Sequence, residues 1–207
     1  MKQSFKRNLQ IGFGLSLLLL IITSVASYNS ITNLIESSEA VNRTNEILQQ
    51  SENIISYMKD AETGQRGFML TNNIDFLEPF NGSFEKTKSA FDQLKELSTD
   101  NIIQQSNCDS LYTIIVKRYN ILQQGIDQAK QNMATDIFLL NNGKVQMDKA
   151  RQLITKIQNI EKKLLTERTA SLNKYASYTP PLIIIATLLS LAIAFVFFKR
   201  VTEDYTE

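Results

Sequence analysis

Histidine is absent from all 207 residues. That removes imidazole metal ligands, Ser–His nucleophilic catalysis and a phosphoacceptor histidine together. The single cysteine, Cys108, cannot close an intrachain disulfide. It falls on an apolar helical stripe, where a packed thiol is the ordinary role and a bridge between two chains the rarer one. Three prolines and seven glycines are few for this length and favour a mostly helical chain. The 22 basic and 21 acidic side chains nearly cancel, leaving none of the charge excess that marks a nucleic-acid-binding face. No P-loop, dinucleotide fingerprint, metal-ligand cluster or nucleophile–base pair can be found. The chain therefore reads as no enzyme in itself, with no cofactor and no nucleic-acid partner.

Two long apolar runs are present. No residue between Arg7 and Glu36 is charged, and the stretch is mostly apolar from Ile11 to Ala26. Leu182 to Phe198 is the second run. At a rise of about 1.5 Å per residue either can cross a hydrocarbon core of roughly 30 Å with help from its flanks. Tyr28, Tyr175 and Tyr178 suit the outer interface, whereas Lys2, Lys6, Arg7, Lys199 and Arg200 suit the inner one. The expected layout is a cytoplasmic N-terminus over 1–10, a membrane helix over 11–28, an extracytoplasmic segment over 29–178, a second membrane helix over 179–198 and a cytoplasmic tail over 199–207. Both termini are expected in the cytoplasm of a bacterial cell, with the spans in its inner membrane. The alternative is a signal peptide with Lys2–Asn8 as its basic region and Ser24-Val25-Ala26 as the cleavage site. It fits less well, because the uncharged span is long and its pattern runs straight into the next helix. Pro180 and Pro181 predict a kink or helix restart before the second run.

Between the runs, four helical stripes step by alternating threes and fours. The first carries Leu48, Ile55 and Met58 and continues to Glu62 and Gln65; the second carries Phe80, Phe84 and Phe91. The third carries Cys108, Tyr112, Ile115, Tyr119 and Leu122, and the fourth Leu153, Ile157, Ile160 and Leu164. Such spacing buries a seam against partner helices, and four seams joined by short breaks predict an all-α, elongated, antiparallel four-helix bundle outside the membrane. The first helix, over about 31–70, would be roughly 60 Å long. Asn72-Asn73 is expected to end it. Asp75 with Glu78 has capping-box spacing, which would place Pro79 in the first turn of the second helix. Ser98-Thr99-Asp100-Asn101 offers caps for the third helix. Asn141-Asn142-Gly143 reads as the turn before a fourth helix starting near Lys144, with a short extra helical turn over 134–140.

One stretch breaks the pattern. Ala61-Glu62-Thr63-Gly64-Gln65-Arg66-Gly67-Phe68 places two glycines where a plain amphipathic helix carries Leu or Ala. Each helix-interior glycine costs about 1 kcal/mol relative to Ala, so a close helix contact must offset it. Glu62 and Arg66, four apart, predict an ion pair within the helix. A role in fixing register is the better-attested use of such a group when buried. The aromatic stripe Phe76, Phe80, Phe84, Phe91, Tyr112 and Tyr119 reads as core in preference to a ligand pocket. Asn42-Arg43-Thr44 and Asn81-Gly82-Ser83 match the glycosylation sequon by chance, and Glu161-Lys162-Lys163 reads as a solvated face.

The Glu62-to-Phe68 stretch resembles the signature of the third type of CHASE domain, an extracellular sensory module of bacterial histidine kinases, cyclases and chemoreceptor-like proteins. Phe76-Leu77-Glu78-Pro79-Phe80, the helix over 100–133, and Gly143-Lys144 leading into 147–168 fit the same pattern in order, so that the resemblance covers about 30–177. It implies a four-helix bundle outside the membrane that feeds a signal to an enzyme inside. Its implied partners are membrane lipid, a cytoplasmic output domain and an unidentified extracellular stimulus, and the arrangement expected is a homodimer. The nine residues after Phe198 cannot fold into an output domain. The sequence is thus expected to be a fragment, a truncated product, or a protein acting through a separate partner. A membrane-anchored helical spacer with a structural or assembly role is the alternative function.

Overall fold

The computed structural model describes residues 2–134 and 136–206, and there is no strand among them. The elements are α1 (Lys2–Thr71), a 3-10 turn (Ile74–Leu77), α2 (Ser83–Leu97), α3 (Ile102–Lys130) and α4 (Ile137–Thr206). Two compact units result. One comprises Asn42–Thr166; the other comprises Met1–Val41 with Glu167–Glu207.

The Asn42–Thr166 unit is an up-down-up-down four-helix bundle. Lys95 reaches Asp109 at 2.8 Å and the Thr87 and Tyr119 hydroxyls meet at 2.8 Å, so α2 and α3 run antiparallel. Gln104 donates to Glu161 at 2.9 Å while Arg118 lies against Gly143, which makes α3 and α4 antiparallel as well. Gln158 of α4 donates to Glu52 of α1 at 2.7 Å. Gln65 donates to the Leu122 carbonyl at 3.1 Å and Arg43 pairs with Asp100 at 2.9 Å, so α1 and α3 run parallel.

Ile54, Met58, Leu94, Leu111, Ile115 and Leu122 are sealed from solvent in the core. Ile55, Phe91, Tyr119 and Ile157 are also buried. Phe80, Phe84, Tyr112 and Leu153 are half-buried and pack against that core. Leu48, Ile160 and Leu164 are only half-buried, and the deep positions next to Leu48 and Ile160 belong to Ile47 and Glu161. A helix facing three neighbours buries a stripe broader than the two-position seam of a coiled coil, and this shifts the deepest positions off a strict seven-residue repeat. Aromatic contacts link α2 to α3: Phe84 meets the Tyr119 ring edge-on at 5.1 Å and Phe91 lies 5.0 Å from Tyr112.

Several helix ends differ from the sequence expectation. Asn72 ends α1 in the left-handed region (φ 55°), a conformation Asn tolerates. The Asp75–Glu78 capping box does not form. Asn73 instead accepts from the Asp75 N–H, and the Glu78 N–H closes the 3-10 turn on the Asp75 carbonyl. Pro79 therefore precedes α2, which opens after Gly82 at φ 73°. Asn101 caps α3 by accepting from the Ile103 and Gln104 N–H groups. In α4 the cap is Asp136, whose carboxylate accepts from Phe138 N–H at 2.8 Å and Leu139 N–H at 3.3 Å. The segment read as an extra turn is thus the start of α4 itself from Ile137, Thr135 lying outside the described residues. Asn141-Asn142-Gly143, read as a turn, lies inside the helix, because Gly143 serves to admit Arg118 and not to reverse the chain.

In the other unit, Ser30 and Thr179 hydroxyls are 2.5 Å apart, and Arg168 donates to the Ala40 carbonyl at 3.3 Å, so α1 and α4 lie side by side there. Both helices are long and apolar enough to cross a membrane. Their apolar side chains, such as Leu18, Ile22, Leu188 and Phe195, stand exposed, as suits helices whose solvent is lipid. α4 passes through Pro180 and Pro181 without restarting. Proline's fixed φ is helical, so the cost is confined to the two missing N–H groups and the crowding they entail.

Candidate functional site

The unusual stretch of α1 lies where the α1–α2 and α3–α4 connections meet one end of the bundle. A Cβ on Gly64 would come 2.9 Å from the Phe76 carbonyl oxygen and 3.2 Å from the Phe80 nitrogen. One on Gly67 would meet the Phe76 ring at 2.5 Å. The glycines let the connector backbone lie directly on α1. Phe68 completes the contact, buried with Leu77 and Ile126.

Charges lie beside this contact. The Glu62 carboxylate holds Arg66 at 2.6 Å through one oxygen and Arg118 of α3 at 3.0 Å through the other. The two arginines are not equivalent. The Arg66 side chain is 67% exposed and Arg118 only 5%, so the pair expected from the sequence is the outer half of a three-member group. Burial pulls the Arg118 guanidinium below its ordinary pKa, and the Glu62 charge and hydrogen bond oppose that. Gln65 is buried and donates to the Leu122 carbonyl, and Gly125 leaves the room its amide occupies. Gly143 does the same for Arg118. Thr63 faces outward and bonds back to the Lys59 carbonyl of its own helix at 2.9 Å. Glu62, Gly64, Gln65, Gly67 and Phe68 thus converge on the helix contacts, while Arg66 and Thr63 lie at the rim.

Arg118, Gly125 and Gly143 were missed in the sequence. Arg118 stands three after Ile115 and four before Leu122, a core spacing that the neighbouring Tyr119 obscures. A small cavity of about 20 Å³ adjoins the group, lined by Glu62, Arg66, Arg118, Gln128, Asp136 and Lys144 among others.

A second buried polar group occupies the opposite end. Gln104 donates to Glu161 at 2.9 Å and to the Ile157 carbonyl at 3.3 Å, and Asn107 donates to Gln104 at 3.2 Å. Glu161, read from the sequence as solvated, is 2% exposed, and its other carboxylate oxygen has no hydrogen-bond partner among the described residues. Lys162 and Lys163 are exposed. Beside this layer, burial raises the Cys108 thiol to about 11. Phe80, Phe84 and Tyr119 line a surface groove of about 340 Å³ between α2 and α3. Among the described residues no group of three or more carboxylates and thiols could hold a metal ion.

The geometry defines a class: a polar-stapled helical bundle built on two helices that also carry membrane-length apolar runs. Comparison with protein families makes this specific. The model of the CHASE3 domain matches residues 37–171, well over half of the chain, and the protein belongs to that family. CHASE3 is a sensory domain of signalling receptors and not a catalytic one. No curated protein and no solved structure matches the chain.

Proposed function

We propose that this chain is the extracytoplasmic sensory input module of a bacterial transmembrane receptor, passing a stimulus inward by movement of α1 against α4. The observation that carries this reading is continuity. α1 and α4 are each one unbroken helix that contains both bundle residues and an apolar run. A shift imposed on either helix in the bundle can then travel along that same helix towards its apolar run. Packed interfaces switch between discrete arrangements more readily than they deform, so a small displacement can be passed on as a change of state. The basic flanks Lys2, Lys6, Arg7, Lys199 and Arg200 favour cytoplasmic termini, with residues 29–178 outside. The output on this reading is a histidine kinase or cyclase type of domain, reached in a homodimer.

The test uses the full chain in membranes. Glu52→Cys and Gln158→Cys place thiols where the two helices meet, and native Cys108 is buried and silent. The rate of disulfide formation between them should change when a stimulus is applied. A rate that no stimulus alters, in a chain whose output does respond, would remove the α1–α4 mechanism. A thiol at Lys130→Cys should react with an impermeant reagent added outside; labelling only from the cytosolic side would overturn the topology.

A further inference from the structure

Arg118 offers more than the chain uses. A guanidinium carries five N–H donors. Arg118 spends Nη2 on Glu62, while its Nε is buried with no hydrogen-bond partner among the described residues. A buried unpaired donor is costly, and more so on a cation. Arg118 lines the cavity of about 20 Å³ at the start of α4, together with Arg66, Lys144, Glu62, Asp136 and Gln128.

The charges of that lining do not balance. Three cations, Arg66, Arg118 and Lys144, face two carboxylates. Glu62 is shared between both arginines, and Asp136 is occupied by the first N–H groups of α4. One positive charge is left over. The amide oxygen of Gln128 is buried there without a partner. Amide oxygen and nitrogen are interchangeable by rotation, so the NH₂ end can face an acceptor instead. Free space of about 20 Å³ suits a monatomic occupant better than phosphate or sulfate.

We propose that this cavity is a halide-sized anion site, chloride being the natural occupant, held by Arg118 Nε with Gln128 and Lys144. The ion completes the charge of the Glu62–Arg66–Arg118 group and ties α1, α3 and the start of α4 together. The site stands on the bundle alone and does not depend on the direction of signalling.

The full chain in detergent would be melted at constant ionic strength while gluconate is exchanged for chloride or bromide. Both halides should raise the midpoint with the logarithm of their concentration above Kd, by about 3–6 °C at roughly tenfold excess. Sulfate and gluconate should not. Lys144→Gln, at the exposed rim, should keep the fold and move the halide response to several-fold higher concentration. Arg118→Lys should abolish the response if it folds. Bromide crystals should show anomalous density against Arg118 Nε. An equal midpoint in gluconate and halide overturns the proposal. So does a halide response that Lys144→Gln leaves unchanged, or bromide density found only elsewhere.

Discussion

The two buried polar groups of the bundle use the same device with opposite charge. At the connector end, Gln65 of α1 donates to a backbone carbonyl of α3, and Glu62 of α1 holds the buried Arg118 of α3. At the other end, Gln104 of α3 donates to a backbone carbonyl of α4 and to the buried Glu161. The first group has paired charges and surplus cation; the second has a carboxylate with, among the described residues, no cation bonded to it. Each of the two long helices is therefore pinned to α3, α1 at one end and α4 at the other. Relative movement of α1 and α4 must disturb at least one pin. The Glu161 layer is expected to yield first, because among the described residues no ion pair has to be broken for it to open.

The widest gap between the two groups should appear on removing Arg118. Arg118→Leu breaks a buried pair and leaves Glu62 facing the core with only its rim partner, which should cost about 3–5 kcal/mol in denaturant unfolding. Arg66→Leu, at the exposed end of the same carboxylate, should cost under about 1 kcal/mol. Equal effects would mean that burial does not separate the two arginines.

The glycines come next. Gly64→Ala drives a methyl into backbone atoms of the connector, which cannot move aside as a side chain can, and should destabilise by about 1–3 kcal/mol. Gly125→Ala clashes with the Gln65 amide and meets Met69 Sδ at an ordinary contact distance of 3.6 Å. The Gln65 side chain can swing away at the loss of one hydrogen bond, about 1 kcal/mol. A reversed order would show that the α1–α2 connector adapts freely and that Gly64 is not what seats it.

At the other end the sign should invert. Glu161→Gln keeps the shape and the bond from Gln104 but removes a buried charge, and should raise stability by about 1 kcal/mol at neutral pH. A loss of stability would mean that the carboxylate has a stabilising counter-charge, and the two ends would then be alike.

These contrasts also mark where the sequence was legible. Helix number, order and the two apolar runs follow from spacing and composition, since amphipathic periodicity records burial directly. Gly64 and Gly67 declared a close contact because helix-interior glycine is costly without one. Arg118 and Glu161 did not declare themselves. A charged residue at a core spacing looks like an exposed one until the neighbouring helix is placed, and both of their partners, Glu62 and Gln104, lie 56 or more residues away in sequence. Gly143 misled for a related reason: Asn-Asn-Gly is turn chemistry when read locally, and only the Arg118 side chain explains it as part of a helix.

The smallest effect should come from Cys108, which reports on the weaker layer without altering it. Its thiol is sealed from solvent one helical turn after Gln104, and burial lifts it from the ordinary 9.0 to about 11. The folded state therefore holds the proton more tightly than the unfolded one. Its contribution to stability is complete below about pH 9 and declines as pH climbs towards 11. At neutral pH the thiolate needed for alkylation is scarce, so labelling requires the layer to open. A second thiol placed by Ile126→Cys in a Cys108→Ala background lies equally buried, near the connector end. If the uncompensated Glu161 makes its layer the one that yields, Cys108 should label faster than the Ile126→Cys thiol, and Glu161→Gln should slow Cys108 alone. Labelling at the same rate in both places would mean that the bundle opens as a unit, and the charge difference between its ends would then have no mechanical consequence.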